Sequence, residues 1–511
     1  MPPFAVNKQK TTIPEEETRH ASFAERLDAL EDIPTNPDIR ETFGEIVERR
    51  LSRRAALRRI LGIGALGMLG NTPLPAAIRA SDSNNPATSG FRFEEIQHGV
   101  DRTHHVSPGY SADILIRWGD PVVDGAPEFD PYRQSVAAQL QQFGYNNDFI
   151  GYIPLPYGSK NAEHGLLCIN HEYTDAEMMF PESAYRTKPG RKAIVDIEMA
   201  CNGGSVVEIR KTDGQWHQVG GSRYARRISA YHSPMRLSGP AAGHRRMKTS
   251  ADPEGRRVIG TLNNCAGGIT PWGTYLMAEE NFNKYFLGRL TGHPEQRNYS
   301  RYGVAGGGFA WGRYHQRFDI NREPNEANRF GWIVEVDALD PASTPVKRTA
   351  LGRFKHEGAA CIVNRDGRLV LYSGDDQQFE FLYKFVSRDE VNLDDRAANS
   401  DLLDHGTLYV ARFADDGQLH WLPLVHGQVG LDESNGFHDQ GDVMIEARRA
   451  ASLLGATPMD RPEGVEPNPL SGKVYVMLTN NHGRSRNNID AANPRADNQW
   501  GQVLELTHPD D

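Results

Sequence analysis

The sequence predicts an all-β fold, a β-propeller with irregular blades and a few short helical insertions. Fifty glycines and thirty-one prolines in 511 residues, with hydrophobic residues at 38%, suit many short strands joined by turns rather than long helices. From about residue 90 onward, β-branched or aromatic runs bounded by Gly, Pro, Asn or Asp recur at loose intervals. Asp366-Gly367 and Asp416-Gly417 each separate two such runs, a strong short-range hairpin signal. A large sandwich is the other architecture this pattern allows, and no strict WD or kelch repeat sets a blade count.

Residues 1–48 are polar, carry Glu15-Glu16-Glu17 and one weak helical pattern over 23–30, and read as an extension rather than a domain. ERRLSRRAALRRILGIGALGMLG follows. Ser52-Arg53-Arg54, with Leu57 and Arg58, resembles a twin-arginine export signal, although Ala56 stands where Phe is common. The apolar stretch 60–70 is too short to span a bilayer, and PLPAAIRAS offers small residues for cleavage near Ala77 or Ala80. A basic surface helix is the structural alternative. The order of basic, apolar and small-residue regions favours a presequence over 1–80, leaving 81–511 as a single catalytic domain without a transmembrane span. Twin-arginine machinery would deliver it folded to the periplasm or beyond, so a cysteine could meet its metal before an oxidising compartment.

The expected strands are ADILIRWG (112–119), FIGYIPL (149–155), GLLCINHEY (165–173), SVVEIRK (205–211), RVIGTLNN (257–264), GWIVEVDAL (331–339), CIVNRDGRLVLYSGDD (361–376), EFLYKFV (380–386), TLYVARFADDGQLHWLPL (407–424), KVYVMLT (473–479) and GQVLELT (501–507). Beyond residue 90, only 132–143 and 443–454 read as helix. Four widely spaced cysteines without a CxxC pair exclude a zinc ribbon and a disulfide-dense scaffold. A net charge of −10 argues against nucleic acid as a partner and fits a cation-binding protein.

Residues 260–282, GTLNNCAGGITPWGTYLMAEENF, are the densest stretch of possible ligands, with Asn263, Asn264, Cys265, Glu279 and Glu280 in one strand-turn-strand reading. Further polar clusters end other strands: Asn170-His171-Glu172, Lys355-His356-Glu357, Asp375-Asp376, and Asp460-Arg461-Pro462-Glu463. Each has a plainer explanation. Paired carboxylates commonly cap turns, a lone histidine or cysteine is more often core, and Arg-Pro-Glu can be a structural ion pair. In a propeller, however, strand ends converge on one mouth, where carboxylates and amides suit calcium and a thiolate calls for a softer metal such as iron.

Taken together and in this order, LNNCAGGITPWGTYLMAEENF, NHEYT, FKHEGAA, YSGDDQQFEFLYKFVS, DRPEGVEPNP and YVMLTNN closely resemble the PhoX-type alkaline phosphatases, over roughly residues 90–510. The resemblance implies an exported, usually monomeric β-propeller that hydrolyses small phosphomonoesters. It also implies iron and calcium bridged by an oxo group, with a metal-bound oxygen as nucleophile. By motif, Cys265 is implied as the iron thiolate, and Glu357 and Glu463 as carboxylate ligands with a share in catalysis. Glu280, Asp376 and Glu172 join them as ligands, and Arg461 is implied to bind phosphate. In an extended chain Arg461 and Glu463 would point the same way. Asn264, Lys355, Asp375 and Glu279 are supporting candidates, with Glu279 expected to hold Glu280 in place. Two positions depart from the family pattern: Met277-Ala278 precedes the EEN string where a Cys is frequent, and Gly464 follows RPE where an aromatic is common. The competing readings are a calcium-dependent phosphodiesterase or lactonase, and a non-catalytic calcium-binding propeller.

Overall fold

Alternating apolar residues and glycine turns account for most of the strands. The computed structural model describes residues 22–36, 94–97, 99–100, 102–181 and 190–507; the twin-arginine stretch and its cleavage region lie outside them. Two compact units are distinguished, Met1–Arg40 with Ile116–Asp511, and Glu41–Leu115. All elements below belong to the first.

The strands form four sheets. The first holds β1 (Asn147–Pro154), β2 (His164–His171), β3 (Gly203–Thr212) and β4 (Gln215–Gln218) in order, with β5 (Arg226–Ser229) also on β3. In the second the strands are β6 (Pro234–Ser238), β7 (Arg257–Ile259), β8 (Asn264–Ile269), β9 (Tyr275–Glu279), β10 (Ile333–Val336) and β11 (Val346–Arg348). Their spatial order is β7-β6-β11-β10-β9-β8, and only β6 and β11 pair in parallel. A third sheet is the antiparallel meander β12 (His356–Val363), β13 (Arg368–Asp375), β14 (Leu382–Glu390), β15 (Gly406–Phe413) and β16 (Leu419–Pro423). The last is β17 (Pro462–Pro467), β18 (Val474–Leu478) and β19 (Gln502–Leu506). Gly367 (φ 81°) and Gly417 (φ 83°) turn the two hairpins expected from their Asp-Gly pairs.

Sheets meet through edge strands: β8 lies against both β1 and β12, and β12 against β17. Two glycines permit this approach. A Cβ on Gly268 would stand 2.0 Å from the Ala359 carbonyl oxygen, and one on Gly374 2.1 Å from that of Pro462. Beneath them runs an aromatic core that includes Trp272, Trp332, Phe354 and Tyr383, all buried, with the last two rings stacked at 4.1 Å.

Helices are short: α1 (Phe23–Glu31), α2 (Val136–Gln139), α3 (Ala176–Met179), α4 (Gly190–Cys201), α5 (Gln296–Tyr302), α6 (Gln440–Ile445) and α7 (Ala447–Leu454). Three expectations need correction. Residues 112–119 form no strand, and Ile114 is exposed, its apolar run lacking a ladder to join. The expected 132–143 helix shrinks to α2, and 443–454 divides at Glu446 into α6 and α7. The longest helix of the four-sheet unit, α4, escapes pattern reading because β-branched Ile194, Val195 and Ile197 dilute its helical signature. Among the described residues no helix is long and apolar enough to cross a membrane.

Candidate active site

A single backbone register, repeated four times, builds the site. In each sheet the edge strand bearing on the pocket and its neighbour begin from equivalent pairs: Asn147 opposite His171, Asn264 opposite Glu279, His356 opposite Asp375, and Pro462 opposite Leu478. Just beyond, each ladder slips, three steps along the first strand matching two along the second. The residues following the first partners are Asp148, Cys265, Glu357 and Glu463. Those following the second partners are Glu172, Glu280, Asp376 and Thr479. All except Thr479 line one cavity of about 300 Å³, together with Arg461, Asn263, Lys284, Tyr173 and the α1 residues Leu27, Asp28 and Glu31.

The donor atoms are close. Cys265 Sγ lies 3.2 Å from Glu357 Oε1 and 3.3 Å from Asp148 Oδ2. Three sets, Asp148-Glu172-Cys265, Cys265-Glu280-Glu357 and Glu31-Glu280-Asp376, each bring their ligand atoms within 4.8 Å of one another. Arg461 is gripped by Asp376, Nε to Oδ1 at 2.9 Å and Nη2 to Oδ2 at 2.7 Å, and its Nη2 lies 3.5 Å from Glu463 Oε1. Arg461 and Glu463 do meet, although the chain is not extended there. Arg461 has φ 54° and Asn263 φ 46°, left-handed conformations that cost roughly 1–3 kcal/mol each and cluster where function holds them.

Electrostatics mark the cavity as built for cations. Burial, then neighbouring carboxylates, drive Glu280 and Glu357 far above the ordinary carboxylate range. The same causes push Glu172 up to about 8 and Glu463 to about 7. Burial likewise raises Asp148. The Cys265 thiol is raised first by burial and next by Glu357, Glu172 and Glu280. Like charges gathered this tightly need positive charge between them to ionise together. One sulfur among many oxygens fits a softer metal at Cys265 with hard cations beside it, so the residues present suit a mixed metal group.

The seven residues singled out from sequence as ligands or phosphate binder, Glu172, Cys265, Glu280, Glu357, Asp376, Arg461 and Glu463, thus all face one pocket. Four supporting candidates lie behind it. Glu279 turns inward, where Lys347 Nζ (2.6 Å), Thr261 Oγ1 (2.8 Å) and the amides of Leu262, Gly331 and Trp332 satisfy both its oxygens. Asp375 is held by Arg448, with Nε donating to Oδ2 at 2.8 Å. Asn264 Nδ2 donates to Thr261 Oγ1 at 2.7 Å, and the Lys355 amide donates to Asp375 Oδ1 at 3.2 Å. His356 is likewise structural, bridging Ser373 Oγ (3.0 Å) and the Gly352 carbonyl (2.8 Å). Sequence reasoning passed over Asp148, Lys284 and Glu31. Asp148 was within reach: Asn147-Asp148 opens β1 as Asn264-Cys265 opens β8.

A family model described as alkaline phosphatase PhoX matches residues 91–511. Among solved structures the chain is similar to Pseudomonas fluorescens PhoX in complex with vanadate, a transition state analogue. The two share 48% sequence identity and a TM-score of 0.74, over 78% of this chain and 70% of that one. No curated protein matched in a sequence comparison.

Proposed function

This chain belongs to the alkaline phosphatase PhoX family and is a phosphomonoester-hydrolysing phosphatase, and from that premise we propose that the acidic cavity on β1, β8, β12 and β17 is its catalytic centre. The observation that carries the proposal is the convergence of seven acidic or thiol side chains of the four sheets on Arg461, from strands far apart in sequence. Asp148, Glu172, Cys265, Glu280, Glu357, Asp376 and Glu463 would hold iron, with Cys265 on it, and calcium. Bound there, these metals supply Lewis-acid neutralisation of phosphate oxygens and an activated water.

The remaining work falls to the protein's own atoms. Arg461 presents a guanidinium whose Nε and Nη2 are fixed on Asp376, so it meets the phosphoryl group without a search through rotamers. Lys284, 3% exposed at the cavity wall, adds a second cation for the ester's dianion. Glu357 and Glu463, on neighbouring strands, contribute carboxylates to the donor set, and Glu463 Oε1 lies 3.5 Å from Arg461 Nη2 and helps hold the guanidinium in place. The sheets' meeting through successive edge strands supports a propeller with irregular blades. We assign residues 81–511 as the catalytic domain, exported as a monomer to the periplasm or beyond through the twin-arginine pathway.

Elemental analysis of the purified protein, with assays of an aryl phosphate beside its bis-ester and a lactone, tests this reading. Iron with calcium, and a strong preference for the monoester, are expected. Full activity in Arg461→Ala would remove the central residue.

A further inference from the structure

The segment ahead of the twin-arginine stretch is seated on the catalytic cavity. α1 starts from a reciprocal cap: the Ser22 N–H donates to Glu25 Oε2 at 2.6 Å, and Ser22 Oγ accepts from the Glu25 N–H at 3.3 Å. Phe23, Leu27 and Leu30 share one helix face and pack on the core, with Leu27 4% exposed and the Phe23 ring edge-on to Phe309 at 5.3 Å. The chain stays anchored beyond the helix. Gln377 Nε2 donates to the Ile33 carbonyl at 2.6 Å, and Asn36 Nδ2 donates to that of Phe379 at 2.7 Å. Between these anchors Glu31 enters the cavity. Its Oε1 accepts from Lys284 Nζ (2.6 Å) and Asn281 Nδ2 (2.9 Å), and its Oε2 from Arg461 Nη2 (3.1 Å). Burial raises the Glu31 carboxyl, but Lys284, Arg461 and Lys355 together outweigh it and keep it below its ordinary pKa.

We propose that residues 22–36 are an intramolecular plug whose Glu31 carboxylate stands in for the substrate's phosphoryl group on Arg461 and Lys284. The inference rests on the reading of this cavity as the phosphate site. A carboxylate and a phosphate offer a guanidinium the same pair of anionic oxygens, so the two compete for one place. The plug lies on the amino-terminal side of the cleavage region expected near Ala77 or Ala80. A chain that keeps its presequence therefore holds the site closed, and its removal opens it. By contrast, Glu31 acting as a metal ligand with Glu280 and Asp376 would respond to substitution in the opposite way.

The test uses the full-length protein and inorganic phosphate. Hydrogen exchange over 23–31 is followed as phosphate is added, and phosphate affinity is measured by calorimetry for wild type, Glu31→Gln and Phe23→Ala, alongside metal content. Competition predicts faster exchange at saturating phosphate. A plug docked about nine-tenths of the time also predicts roughly tenfold tighter phosphate binding in both variants, at unchanged metal content. Phe23→Ala loosens the helix from outside the cavity and adds no charge to it, so it decides the matter if Glu31→Gln misfolds. Unchanged exchange and affinity would overturn the plug and leave the phosphatase reading standing. Metal loss in Glu31→Gln would overturn it in favour of a ligand. Phosphate binding by none of the three would overturn the plug and the phosphate site together.

Discussion

Glu279 and Glu280 are neighbours in one chain segment, as are Asp375 and Asp376, yet the members of each pair live in different electrostatic worlds. The first of each pair turns inward onto a cation: Glu279 onto Lys347, Asp375 onto Arg448, all four fully buried. The second turns into the cavity. Glu280 finds there only the amides of Asn263 and Asn281 amid other carboxylates, and Asp376 shares Arg461 with Glu463 and Glu31. Strand alternation performs this sorting. The inward row holds the sheets together, while the outward row carries excess negative charge that destabilises the fold and serves the chemistry.

The sharpest way to break the inward row is Arg448→Met. It leaves Asp375 buried without its charge partner and takes a second cation from Glu380, so chemical denaturation should register a loss of about 3–5 kcal/mol. On the outward row, Arg461→Ala should cut kcat/KM for an aryl phosphate by about 10²–10³-fold. The two glutamates then separate the rows by sign. In metal-free protein Glu279→Gln should cost about 1–3 kcal/mol by unpairing Lys347, whereas Glu280→Gln should be neutral or stabilising because it deletes a repelled charge. Equal losses from both would erase the distinction.

A pH series sharpens it further. Glu172, Glu280 and Glu357 have folded pKa values above their unfolded ones, so the folded chain holds more protons as pH passes through 4.5 and upward. Their contribution to stability is present below the unfolded value and is lost as pH rises, for Glu172 through about 8. Melting of chelator-treated protein should therefore fall by several degrees between pH 5 and 8 and recover when the native cations return. The smallest effect is expected at Thr479, whose hydroxyl favours the ionised form of Glu463. Thr479→Val should lower kcat/KM only a few-fold, in keeping with about 1 kcal/mol for one hydrogen bond.

Much of the pocket was legible because its side chains follow strand ends in short dense strings: NNC, EEN, HEG, GDD and RPE. Position along a string separates the rows, but only once register is known. From residues alone, Glu279 and Glu280 are equivalent, and so are Asp375 and Asp376. Strand pairing distinguishes them, and pairing is a long-range property. Asp148 stayed hidden in a plain Asn-Asp pair at the start of β1, and Lys284 in a helical turn after the EEN string. Glu31 was remote for another reason: it lies in a polar extension whose weak 23–30 helical pattern gains meaning only from the surface it covers. The missing 112–119 strand makes the converse point, since a β-branched run needs a free edge to join.

The slipped step after each opening pair also sets what the protein can tolerate. Length can be added at the far ends of these hairpins, as at Asp366-Gly367, without disturbing the near ends, because the slip confines the donors to the first residues past the pair. Deleting one residue between an opening pair and its slip would restore a regular ladder with the later pairs and their faces unchanged, while removing the extra step that aims the donor into the cavity. Homologous chains should therefore vary freely in hairpin length while keeping the spacing at the mouth. Loop grafting could then change which esters reach the site without rebuilding the site itself.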